Sequence, residues 1–105
     1  MSNQGTTLEK LQRLETLCRQ GYASDIIELS LDKIIAYEIA NAQKEAAELQ
    51  AELQAFEAQY KISSQDLYRS FRKGEMGDDV DFVEWSAFYQ MWLSVQERLE
   101  ILQSK

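Results

Sequence analysis

The chain has 105 residues and a net charge of −7, with no histidine, no proline and one cysteine. Without histidine the commonest general base and metal ligand are absent, and a lone Cys18 closes neither an internal disulfide nor a usual zinc site. An acidic chain lacks the clustered Lys and Arg that neutralise phosphates, and no glycine-rich run matches a phosphate loop, so the composition reads as a non-enzyme with no cofactor, no metal and no nucleic-acid ligand.

Alanine, leucine, glutamine and glutamate dominate, and these are strong helix formers. The expectation is an all-α protein forming a single domain over residues 1–105. No run of 18 apolar residues occurs, and no basic stretch leads into an apolar one near the start, so neither a membrane span nor a secretory signal is expected. A solitary cysteine suits a reducing cytoplasm, with Cys18 packing as a small hydrophobe at a helix edge.

Residues 1–5 read as disordered, and helix 1 is expected over residues 6–20. Thr6 with Glu9 makes a capping box, Leu8, Leu11, Leu14, Leu17 and Cys18 follow helical spacing, and Gly21 supplies the left-handed stop. Helix 1 is expected to pack back on the helix after it. Helix 2 is expected over residues 25–60, opening at Asp25 with Glu28 at the capping-box position. Its length is about 36 residues, or roughly 54 Å. That exceeds what a compact domain of this size encloses, so the helix must project, fold against another or pair with a copy of itself.

The first part of helix 2 is apolar around most of its circumference. Ile27, Leu31, Ile34, Ile35 and Ile39 exceed what helix 1 alone could cover, which points to a homodimer through this segment. From Ile35 the pattern narrows to a strict seam of Ile35, Ile39, Ala42, Ala46, Leu49, Leu53, Phe56 and Tyr60. Alternating steps of four and three residues mark a coiled-coil edge.

Lys61 and Ile62 break the pattern. A short helix 3 is expected over residues 64–73, capped at Ser63 or Ser64, with Asp66 three residues after Ser63 and a stop at Gly74. An acidic loop follows at 74–80, and helix 4 is expected over 81–103 with Asp81 and Glu84 in capping register. Its seam is Trp85, Phe88, Trp92, Val95, Leu99 and Leu102. Two matching seams predict an antiparallel, coiled-coil-like hairpin of helices 2 and 4. Its core would comprise Ala46, Leu49, Leu53, Phe56 and Tyr60 against those six residues, with the bulky rings near Phe56 and Tyr60.

The segment GEMGDDVDFVEW, residues 74–85, holds Glu75, Asp78, Asp79, Asp81 and Glu84 with no base among them. Its spacing does not fit an EF-hand loop, whereas acids do gather at helix N-termini. Asp81 and Glu84 are expected to cap helix 4, leaving Glu75, Asp78 and Asp79 to contact a basic partner. Arg69, Arg72 and Lys73 form the basic cluster and are expected to pair with this acidic loop.

The run from Tyr60 to Trp92 also carries a family resemblance. Tyr60-x-Ile62-Ser63, Phe71, Gly74-Glu75, Gly77-Asp78-Asp79 and Asp81-Phe82-x-Glu84-Trp85 resemble a family of small acidic helical proteins of bacteria and archaea. These are encoded beside a small toxin gene and regarded as antitoxins. The resemblance covers about a third of the chain and implies a protein that neutralises a basic, ribonuclease-like toxin. An acidic helical spine suits a basic surface. The alternative is a coiled-coil scaffold that only pairs with itself.

Overall fold

A computed structural model describes residues 3–104, with side chains from Gly5 onward. Four helices follow in order: α1 (Asn3–Arg19), α2 (Asp25–Tyr60), α3 (Ser64–Arg72) and α4 (Val80–Gln103). Among the described residues there is no strand, and no helix is long and apolar enough to cross a membrane. The chain divides into two compact units, Met1–Ile35 and Ala36–Lys105, the division passing through α2.

In the first unit, α1 begins before Thr6. Residues 3–5, expected to be disordered, are helical, and Met1 and Ser2 lie outside the described residues. Nothing between Asn3 and Glu9 breaks the backbone ladder, so the Thr6 capping box is bypassed. The other end follows its glycine. Gly21 takes φ +88°, its N–H bonds Cys18 O and the Tyr22 N–H bonds Leu17 O, each at 3.0 Å, which is a Schellman stop. Helix α2 spans Asp25–Tyr60, the expected range, but its cap lies one residue before the expected Asp25. Ser24 Oγ accepts from the Ile27 N–H at 3.3 Å, so Ser24 caps the helix and Asp25 is its first residue. Asp25 and Glu28 then act on the helix dipole in the first turn.

Helix α1 shares one compact unit with the start of α2, yet Leu8, Leu11, Leu14 and Leu17 keep much of their surface in solvent in the single chain. Their spacing explains it. Three residues turn a helix through about 300°, so each leucine falls about 60° short of the one before. The four wind around α1 and do not form one stripe that one neighbour could cover.

The second unit is the hairpin. Helix α2 packs with α4, antiparallel, so that Phe56 and Tyr60 meet Trp85 while Glu45 meets Arg98 much further along α4. One buried cluster holds Ala42, Leu49 and Val95, edged by Ala46, Phe88, Trp92 and Leu99. The other holds Leu53, Leu67 and Trp85, edged by Phe56, Tyr60, Met76 and Phe82. Small Ala42 and Ala46 belong to the first cluster, while most of the rings gather in the second, at the end that α3 closes. Trp85 and Leu67 have 0% exposure, and the Trp85 indole N–H donates to Ser64 Oγ at 2.8 Å. Ser64 is itself buried, and its own N–H donates to a Glu57 carboxylate oxygen at 2.8 Å. One serine thereby ties α2, α3 and α4 together at the bottom of the core.

Candidate functional site

The acidic loop is held more firmly than its composition suggests. Helix α3 ends in a second Schellman stop: Gly74 takes φ +76°, its N–H bonds Phe71 O and the Glu75 N–H bonds Ser70 O, each at 3.0 Å. Met76 then packs on the Trp85 cluster. This apolar anchor inside an acidic string was not foreseen, because a lone methionine between two glycines carries no periodic signal.

The division of labour among the acids also differs from expectation. Asp79, expected to face a partner, is the cap of α4: its Oδ1 accepts from the Asp81 N–H at 2.9 Å, and its backbone carbonyl accepts from the Val83 N–H. Asp81, expected to be the cap, lies inside the first turn and accepts a hydrogen bond from the Tyr60 hydroxyl. The helix begins at Val80, one residue earlier than expected, and that step turns Asp81 toward α2. Glu84, expected to share the capping role, lies beyond the first turn and is exposed. Glu75 and Asp78 remain exposed, and of the three residues expected to contact a partner only these two are left without a capping bond.

Tyr60 and Asp81 form the link that no local pattern revealed, being 21 residues apart. The Tyr60 hydroxyl is pushed up to about 12, first by donating to Asp81, then by loss of water around it, then by the charges of Asp81 and Asp79. Both ends of the loop are therefore fixed, by Met76 and by Asp79 with Asp81. Among the described residues no group of three or more His, Cys, Asp or Glu side chains could hold a metal ion.

The segment expected to dimerise is largely uncovered. Ile34 and Ile35 are exposed, Ile27, Leu31 and Ile39 are half-buried, and Ile26 and Tyr37 beside them stand 78% and 67% exposed.

Arg69, Arg72 and Lys73 do not pair with the acidic loop as expected. Arg69 reaches Asp66 of its own helix at 3.7 Å, and Arg72 lies over the Tyr68 ring with its Nη1 donating to the Tyr68 hydroxyl at 3.1 Å. Helix α3 directs these side chains over α4, beside Tyr89 and Leu93, although the loop leaves from the same end of the helix. Their i, i+3, i+4 spacing identified one face of α3, but which neighbour that face would meet depends on the fold.

No protein-family model, curated protein or solved structure matches the chain.

Proposed function

We propose that this protein is a non-catalytic binding module, an antitoxin that dimerises through the start of α2 and neutralises a basic, ribonuclease-like toxin in the cytoplasm. The observation that carries the reading is the exposed apolar surface of the first unit on a strongly acidic chain. Ile26, Leu29, Ile34 and Ile35 all face solvent in the single chain. Contiguous apolar surface of this kind marks an association site. The net charge of −7 favours a basic partner, and charge complementarity speeds encounter. The resemblance of residues 60–92 to the antitoxin family agrees with this division.

A self-pairing scaffold is the competing reading, favoured by the 36 unbroken residues of α2. Co-expression with the product of the neighbouring gene separates the two. An antitoxin relieves the growth arrest that product causes and forms a complex of fixed stoichiometry with it. If the neighbour's product is harmless, or is unaffected by a folded excess of this chain, the scaffold reading stands.

A further inference from the structure

The α3–α4 surface of the hairpin unit has chemistry opposite to the rest of the molecule. A run of aromatic rings crosses it: Tyr68 lies 5.1 Å from Tyr89, and Tyr89 stacks on Trp92 at 6.0 Å with planes 20° apart. Arg69, Arg72 and Lys73 border the run on one side, in a groove of about 520 Å³ that also includes Leu93. On the other side Tyr89 and Trp92 line a cleft of about 310 Å³ with Glu57, Gln50 and Gln54. Among the described residues, Trp92 Nε1 is the one buried side-chain polar atom with no hydrogen-bond partner. Trp92 lies in this second cleft, stacked on Tyr89, so its indole N–H reports on the aromatic run from behind the cationic groove.

We propose that this groove binds an acidic peptide segment of a partner protein, one with an apolar side chain flanked by carboxylates. The cations receive the carboxylates, and Tyr68, Tyr89 and Leu93 receive the apolar side chain. Charge selects the occupant. Among the described residues, Arg72 and Lys73 have no carboxylate within ion-pair distance, and Arg69 meets only the exposed Asp66, a type of contact worth about 0–1 kcal/mol.

Ring orientation selects against a single-stranded nucleic acid. Bases need free ring faces on which to stack. Here Arg72 sits over the face of Tyr68 at 5.8 Å, and Tyr89 and Trp92 stack on each other. The inference goes beyond the antitoxin reading and needs no toxin for its test.

The test follows the two indole N–H signals by NMR in the full chain, titrated with acetyl-Glu-Phe-Glu-Leu-amide. The neutral acetyl-Gln-Phe-Gln-Leu-amide and an eight-residue oligothymidylate serve as comparisons. The acidic peptide should shift the Trp92 signal saturably and leave the Trp85 signal, bonded to Ser64, in place. The neutral peptide should bind at least tenfold more weakly. Arg72→Gln with Lys73→Gln, both exposed, should weaken the acidic peptide at least tenfold with an unchanged melting curve. No saturable shift of Trp92, equal binding of the neutral peptide, or equal binding of the oligothymidylate would each overturn the proposal.

Discussion

Helix α2 carries apolar residues along its whole length, yet its two ends meet different fates. In the hairpin unit, Ala42, Leu49 and Leu53 are buried against α4, and Trp85 beyond them is sealed completely. In the first unit, Ile26, Leu29, Ile34 and Ile35 have comparable hydrophobicity and remain in solvent. The difference lies in the partner. Helix α4 has 24 residues against the 36 of α2, and the leucines of α1 wind around their helix instead of forming a matching stripe. A periodic apolar pattern thus states that a face is to be covered, without stating which chain covers it.

The most severe way to break this comparison is to charge the uncovered face. Ile35→Glu with Ile39→Glu would bury two unpaired carboxylates in any dimer built there, a penalty of more than about 5 kcal/mol for the pair. Light scattering should then report a monomer, while Trp85 fluorescence still shows a cooperative transition for the hairpin. A dimer of wild-type strength would mean that the exposed isoleucines are not its contact.

The next effect sharpens the contrast between regions. Trp85→Ala removes a fully buried ring stacked on Phe56 at 5.3 Å and leaves Ser64 Oγ without its donor. A loss of about 3–5 kcal/mol is expected in chemical unfolding. In the monomeric Glu variant, Leu14→Ala should stay within about 0.5 kcal/mol, as exposed substitutions do. A large loss at Leu14 would show that α1 is packed in the monomer after all.

How much of this was legible depended on the range of the signal. The hairpin could be read because Leu49, Leu53, Trp85 and Val95 repeat at coiled-coil spacing over many turns, and Gly21 and Gly74 end helices by a local backbone rule. The hydrogen bonds between Tyr60 and Asp81 and between Ser64 and Trp85 could not be read, since each joins residues 21 positions apart through an ordinary polar group. The capping assignments erred by a residue or two. Ser24 precedes Asp25 and Asp79 precedes Asp81, so in each case adjacent side chains competed for the same few free N–H groups. In the loop that small slip exchanged the roles of Asp79 and Asp81, and it removed Asp79 from the residues free to meet a partner.

That exchange gives a smaller, sharper effect. Asp79→Ala should cost about 0.5–2 kcal/mol, the usual loss for an N-cap, whereas Asp78→Ala should change stability by no more than about 0.5 kcal/mol. Thermal melts of the two variants decide it, and equal losses would mean that Asp79 does not cap α4.

The smallest effect isolates one hydrogen bond through pH. The Tyr60 hydroxyl is pushed up to about 12 in the folded chain, chiefly by its bond to Asp81. An unfolded tyrosine loses its proton near 10. Because the fold favours the protonated phenol, the stabilising contribution is complete below about pH 10 and drains away as pH rises toward 12. Tyr60→Phe removes the ionising group but keeps the ring against Phe82 and Trp85. The stability difference between wild type and Tyr60→Phe should therefore be flat at neutral pH and shrink between about pH 10 and 12. Everything else the chain does at alkaline pH is common to both proteins and cancels. A difference that stays constant across that window would mean that Tyr60 keeps its ordinary acidity, and that Asp81 does not hold the end of α2 to the start of α4.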